Sequence, residues 1–375
     1  MSEWKEYTLG ELTSLVTKGT TPTSLGYKFA DSGINYIKSE AIGYDGRIDR
    51  STFVYIDQET HNKLKRSQLE NDDILYSMAG IFLGKNAIVP RDVLPANTNQ
   101  ALAIIRLNKD KAYPKYIHYF LRQESVVDYV DNMSGQSAQP NINFEEIKSI
   151  KILIPEIEEQ RAIASILSGL DDKIDLLHRQ NKTLEQLAET LFRQWFVEEA
   201  DESWEVGKLG DVIELVYGKG LKEEIRTGDG FPVVGSSGVV GYHNEYLAKG
   251  PGVVIGRKGT LGKVIYLYDN FYPIDTTYYV KSKINSLELL YEYFLLRFLK
   301  FEDMNSDSAV PGLNRDIALS AEINIPPEKK MNEFNTISSS LFHKIRFNTN
   351  QIHTLKQLRD SLLPKLMSGE VRVQY

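Results

Sequence analysis

The feature that most constrains this chain is that it repeats itself. Trp4, Leu9, Gly10, Glu11, Leu15 and Val16 recur 200 positions later as Trp204, Leu209, Gly210, Asp211, Leu215 and Val216. After one inserted residue, Lys18-Gly19 aligns with Lys219-Gly220; further on, Gly84-Lys85 aligns with Gly262-Lys263 and Tyr119-Phe120-Leu121 with Tyr293-Phe294-Leu295. SAQPNIN at 137–143 matches SAVPGLN at 308–314, and that offset of 171 then holds without a gap through Ile154-Pro155 and Ile325-Pro326. One offset held over so many positions means duplication, which decides architecture before local propensity does. Each half is a variable region followed by a matched helix. The fall in offset from 200 to 171 makes the second variable region 29 residues shorter.

The helices carry the clearest periodicity. After Pro155, Ile163, Leu167, Leu170, Ile174, Leu177, Asn181, Leu184, Ala188, Leu191 and Trp195 follow a 4-3 spacing, the seam of a coiled coil. The second half repeats it with Phe334, Ser338, Leu341, Ile345, Asn348, Ile352, Leu355, Arg359, Leu362 and Leu366. About 40 residues at 1.5 Å each give helices roughly 60 Å long. Residues 151–203 carry 6 basic and 12 acidic side chains, whereas 327–375 carry 8 and 4. Opposite charge on matched heptads favours pairing with each other. Pseudo-two-fold symmetry requires that pairing to be antiparallel, and a mirror about residue ~179 then sets Asn181 against Asn348 and Trp195 against Phe334. It also sets Ala188 beside Leu341, Leu191 beside Ser338, and Leu170 beside Arg359, whose stem would pack while its head reaches water. An Asn pair in such a seam fixes register, because a slip leaves both amides facing hydrocarbon.

The variable regions read as mixed. Ile74–Tyr76, Leu102–Leu107, Val253–Ile255 and Tyr278–Val280 have the β-branched and aromatic content of strands. Tyr116–Leu121 and Leu289–Leu299 read as amphipathic helices, and Ile150–Ile154 and Glu322–Ile325 as short strands stopped by proline. Without regular strand–helix alternation the expected class is α+β: two globular domains in pseudo-two-fold arrangement, separated by two long antiparallel coiled-coil helices. The expected boundaries are 1–155, 156–200 (first helix), 201–326 and 327–375 (second helix).

The search for chemistry returns mostly exclusions. A chain of 375 residues with no cysteine has neither disulfides nor thiolate catalysis nor cysteine-held metal. Six scattered histidines lack metal-ligand spacing. Five residues separate Gly256 from Gly262-Lys263 and Val264 follows, so no phosphate loop exists. Glu146-Ile147-Lys148 has the form of half a nuclease motif without a Pro-Asp before it, and reads as exposed helix charge. NIPPE at 324–328 is not the Asn-Pro-Pro-Tyr that grips a flipped adenine, and no glycine fingerprint for S-adenosylmethionine occurs. No catalytic residue, metal or cofactor is expected. The polar opening MSEWKEYTLG has no signal core and no apolar run approaches the ~18 residues of a membrane span, so the expectation is a cytoplasmic chain.

At this point the residues resemble a family. The opening WKEYTLGELTSLVTKG, IPEIEEQRAIASIL after the first variable region, LFRQWF at the first helix end, IPPEKKMNEF and LLPKLMSGEVRV resemble the specificity subunit of type I restriction–modification enzymes over essentially the whole chain. The resemblance implies two target recognition domains, each reading half of a bipartite double-stranded DNA site, with the helices spacing them. It also implies methyltransferase subunits, two if each half docks one, and restriction subunits that carry ATP-dependent catalysis. DNA needs cations at phosphates and hydrogen-bonding groups at base edges. Lys18, Thr20, Thr21, Lys38, Ser39, Lys85, Asn99 and Gln100 are the candidates in the first domain. Lys219, Lys222, Ser236, Ser237, Arg257, Lys258, Lys263 and Thr276 are those in the second. GRKGTLGK (256–263) is cationic where its counterpart SMAGIFLGK (77–85) keeps only Lys85, so the two half-sites should differ. Gln136-Ser137 and Ser308 read as structural turn residues. Two other readings stay open: a coiled-coil scaffold that binds no DNA, and a specificity chain serving a fused nuclease–methyltransferase. Salt-dependent DNA binding and the neighbouring genes separate them.

Overall fold

The computed structural model describes residues 4–133, 140–226, 228–284, 288–303 and 312–374; Gln136, Ser137 and Ser308 lie outside these. The chain divides into two compact units, one of residues 1–174 with 353–375 and one of 175–352. The first unit is thus discontinuous in sequence and the second continuous, and the first long helix (Ile157–Arg193) and the second (Glu328–Met367) give residues to both.

In the first unit the strands are β1 (Lys5–Thr8), β2 (Thr13–Lys18), β3 (Ile34–Ile37), β4 (Val54–Ile56), β5 (Ile74–Ser77), β6 (Asn86–Ile88), β7 (Ala96–Thr98), β8 (Leu102–Leu107) and β9 (Lys151–Ile154). The second holds β10 (Glu205–Lys208), β11 (Ile213–Tyr217), β12 (Phe231–Gly235), β13 (Gly238–His243), β14 (Gly252–Gly256), β15 (Val264–Leu267), β16 (Tyr272–Pro273), β17 (Thr277–Ser282) and β18 (Glu322–Ile325). Sheet orders coincide: β2-β8-β5-β6 against β11-β17-β14-β15, β4-β3-β7 against β13-β12-β16, and the antiparallel pairs β1-β9 against β10-β18. In both three-stranded sheets one pair is parallel, β3 with β7 and β12 with β16. The duplication is therefore structural as well as sequential, and the class is α+β.

Hydrogen bonding corrects one alignment. Ser14 is bulged out of the β2–β8 ladder, whereas β11–β17 runs without a bulge. The extra residue shifts the first repeat by one. Gly19 therefore corresponds to Gly218, not Gly220, and Thr20 to Lys219: Thr20 N–H donates to Thr98 O (3.0 Å) as Lys219 N–H donates to Pro273 O (3.0 Å). Both glycines sit where a Cβ would meet backbone oxygen, at 2.0 Å for Gly19 and 2.1 Å for Gly218. The greater length of the first unit lies partly in helices without a counterpart among the described residues, Gln58–Lys63 and Glu124–Met133.

Each unit closes its core with helix. Ile163, Ala164, Leu167, Leu366 and Met367 join the sheet side chains Ile105 and Ile152 in the first. In the second, the helix meets an aromatic cluster. Phe192 and Phe196 pack on Tyr291 and Phe334, Phe334 edge-on at 5.8 and 5.4 Å between centroids. A π turn at Gln194–Glu198 ends this helix. The sequence seam names Trp195, which does meet Phe334 at 6.4 Å, but the cluster centres on Phe192 and Phe196.

Within the second unit the two helix segments run antiparallel, with Asn181 opposite Asn348 and Trp195 opposite Phe334. Asn348 Nδ2 donates to Asn181 Oδ1 at 2.9 Å, and Asn181 Nδ2 donates to Thr349 Oγ1 at 3.3 Å. In the first unit Arg359 departs from the expectation that its head reaches water. Its guanidinium turns to Asp171 (2.7 Å), which also accepts from the Tyr119 hydroxyl (2.8 Å) and Arg122 (3.4 Å). A half-buried carboxylate one residue from the seam gives the charge a partner that water cannot match in that position. Opposite helix charge is spent unevenly. In the second unit Glu185 and Glu189 pair with Arg297 of the globular part, and Arg346 with Asp269.

Candidate nucleic-acid interface

In the first unit the candidates gather where four strands of one sheet end. Lys18 pairs with Ala103, Ala103 with Tyr76, and Tyr76 with Asn86, so Lys18, Leu102, Ser77 and Lys85 finish the same end of β2-β8-β5-β6. Thr98 ties in the neighbouring sheet, its hydroxyl donating to Ile37 O at 2.7 Å, which brings Lys38 and Ser39 alongside Asn99 and Gln100. Thr21 Oγ1 donates to Gln100 Oε1 at 3.1 Å. The Tyr36 hydroxyl donates to Thr20 O at 3.0 Å; burial pushes that phenol up to about 12, so it remains a donor. Lys38 lies 3.7 Å from Glu40 and 5.2 Å from the Phe29 ring centroid. Arg66, absent from the sequence candidates, donates to Thr20 Oγ1 at 3.0 Å and adds an exposed cation. Its signal was the basic run Lys63–Arg66.

The second unit builds the same scaffold with other side chains. Arg257 and Lys258 N–H both donate to Thr276 O (2.8 and 3.1 Å), as Met78 N–H donates to Ala101 O (2.9 Å). The Arg257 carbonyl accepts from Leu313 N–H (3.0 Å) where the Met78 carbonyl accepts from Ile142 N–H (2.9 Å). The turn after the buried strand is thereby stapled to the PNIN and PGLN segments in the two repeats. Gly80 and Gly259 take positive φ (67° and 79°), as do Gly84 and Gly262 (79° and 69°), the left-handed backbone these turns need. Lys263 Nζ donates to Ser237 O at 2.6 Å, and Ser236 borders Gly256 and Gly259. Arg257 lies 5.0 Å from the Tyr217 ring centroid and donates to Asp275 O at 3.2 Å. Arg315, which directly follows the PGLN segment and escaped the sequence reading, lies 5.5 Å from the Tyr217 centroid. Tyr217 is thus flanked by two guanidiniums. Burial, and then contact with Tyr217, raises the Tyr278 phenol. Lys222 opens the turn Glu223–Ile225, outside this hydrogen-bonded group.

Among the described residues no group of acidic or histidine side chains could hold a metal ion, and no helix is long and apolar enough to cross a membrane.

The scaffold defines a class: a duplicated protein in which one sheet architecture carries two chemically different sets of turns. The chain belongs to the family of the type I restriction modification DNA specificity domain, which residues 1–186 and 201–357 match in two copies. It is 26 % identical to the type I restriction enzyme MjaIX specificity subunit of Methanocaldococcus jannaschii, across 96 % of this chain and 91 % of that one. It is 21 % identical to the putative MjaX specificity subunit of the same organism, across 99 % and 94 %. The crystal structure of the S subunit of a type I restriction-modification system from M. genitalium shares the fold, with a TM-score of 0.67 at 19 % identity over 98 % of this chain and 96 % of that one.

Proposed function

We propose that this specificity subunit is the non-catalytic DNA reader of a type I restriction–modification complex. Each globular domain, 1–155 and 201–326, reads one half of an asymmetric bipartite site in double-stranded DNA. The helices, 156–200 and 327–375, set the spacing and dock two methyltransferase subunits, through which restriction subunits join; the complex acts in the cytoplasm. One observation carries the reading: corresponding sheet ends carry Arg257 and the exposed Lys258 in one repeat, where the other has Met78 turned into the core and the half-buried Ala79. A scaffold kept constant while its exposed turns change chemistry is what two different half-sites demand. Lys18, Thr20, Thr21, Lys38, Ser39, Lys85, Asn99 and Gln100 would meet one half, and Lys219, Ser236, Ser237, Arg257, Lys258, Lys263 and Thr276 the other, with Lys222 at its margin. Mapping methylated adenines genome-wide in cells with and without this chain tests the reading. A two-part motif should appear only with the chain; an unchanged map refutes it.

A further inference from the structure

Ile81 and Tyr44 are the two most exposed large apolar side chains among the described residues, at 82 % and 80 %. They share one locality, because Lys85 Nζ lies 3.2 Å from the Tyr44 ring centroid and 4.3 Å from that of Phe82. The turn that carries Ile81 is fixed: Gly80 N–H donates to Pro140 O (2.9 Å), Leu83 N–H to Gly80 O (3.0 Å) and Gly84 N–H to Ser77 O (3.0 Å). Ile81 is therefore held outward by a hydrogen-bonded frame. Its position, one residue after the left-handed glycine, is that of Thr260 in the second unit, in the turn that carries Arg257 and Lys258. One isoleucine and one tyrosine around an ammonium are too little for a protein interface, which takes roughly 800 Å² per partner. They suit a smaller apolar target beside a phosphate. The major groove offers one such group, the 5-methyl of thymine.

We infer that Ile81 reads a thymine methyl in the half-site of the first domain, with Lys85 held between Tyr44 and Phe82 to meet the adjoining phosphate. This rests on the reading that the sheet-end turns face DNA. The test uses the full chain assembled with its methyltransferase subunits and labelled duplexes in which each thymine of the mapped site is replaced in turn by uracil. Uracil pairs identically but lacks the methyl. At one position the wild type should bind the uracil duplex about four-fold more weakly, the worth of one buried methyl-sized group. Ile81→Ala should bind the thymine duplex with a similar loss and show no further loss with uracil at that position. Every other position should respond equally in the two proteins. If Ile81→Ala keeps the wild-type response to uracil everywhere while binding stays sequence-specific, the inference is overturned and DNA reading stands. If the assembled complex shows no sequence-specific binding, the underlying reading fails as well.

Discussion

Arg257 and Lys258 are neighbours with different expected tasks. Arg257 is steered by the Tyr217 ring and the Asp275 carbonyl into one orientation, the condition for a bidentate contact to guanine. Arg257→Ala should cost about 1–3 kcal/mol of specific binding and relax selectivity in one half-site only. Lys258 is exposed, and as a phosphate contact its replacement by Ala should weaken all sequences alike and lower the slope of log K against log salt by about 1. Binding titrations over cognate and single-mismatch duplexes separate the two; equal damage to both half-sites by Arg257→Ala would refute the assignment. Residues also set the pH response of the fold. Buried His118, its Nδ1 2.7 Å from Asn86 Oδ1, is pushed down to about 3 by burial and by the charge of Arg122. The unfolded chain binds that proton near pH 6.5 and the folded chain does not, so stability falls as pH drops from about 6.5 toward 3, by up to about 1.4 kcal/mol per pH unit. Burial acts to raise Asp171, but hydrogen bonds from Arg359 and Tyr119 and the charges of Arg122 and Arg359 outweigh it and leave it depressed. Its contribution is present above the unfolded carboxylate value and is lost only as pH falls through its lower folded one. Denaturant melts of the wild type should therefore weaken already between pH 6.5 and 5. His118→Gln should flatten that limb, and Asp171→Asn should spare it.

Among the elements, the helix pair shows what a sequence can and cannot reveal. Periodicity and the 171 offset were enough to read antiparallel segments with Asn181 facing Asn348, because a heptad repeat fixes faces and duplication fixes register. Strands β5, β8, β9, β14, β17 and β18 were also legible, β8 and β18 to the residue, as runs rich in β-branched and aliphatic side chains, whereas β3, β6 and β12, among others, were not. The Ser14 bulge was not, since ladder register depends on the partner strand and not on the bulged residue. Nor was the Asp171 cluster, whose members come from three separated segments, or Arg66 and Arg315, which become neighbours of the site only through tertiary folding. The Asn pair gives an element-scale prediction. Asn348 is fully buried and its Oδ1 has no hydrogen-bond partner among the described residues, so the pair is an expensive way to hold a seam. Replacing Asn348 alone by Leu leaves the half-buried Asn181 Oδ1 without its donor, while Asn181 Nδ2 keeps Thr349, and should cost about 1 kcal/mol. Replacing both should recover that loss or exceed the wild-type stability while removing the penalty on slipped registers. A double-mutant cycle of denaturant melts gives the answer; additive losses would mean the two amides do not act as a pair.

On the scale of the whole molecule, duplication carries two consequences. Each repeat ends in the same sequence of parts, an antiparallel strand pair closing on Ile-Pro and then a long helix. Two like surfaces offer two like docking sites, so titration of the chain with its methyltransferase should saturate at two copies by native mass spectrometry, and saturation at one would contradict the docking proposal. The second consequence concerns how the first unit is completed. It closes only with residues 353–375, which bring Leu366 and Met367 into its core. Arg372 also pairs through Nε and Nη2 with the fully buried Glu159 carboxylate at 2.6 and 2.8 Å. Trp4, near the other end of the sequence, stacks within 5.6 Å of the same guanidinium. A chain cut after residue 352 keeps every residue of the second unit but removes Arg372 from Glu159 and Arg359 from Asp171. A buried carboxylate stripped of its cation costs about 3–5 kcal/mol, and the lost Leu366 and Met367 add about 2 kcal/mol or more each. That is comparable with the whole stability of a domain. The expected outcome is that amide exchange in the truncated chain becomes fast throughout residues 4–133, which lie far from the cut in sequence, while β10–β18 stay protected. Protection retained in both would show that residues 353–375 are not part of the first unit's fold.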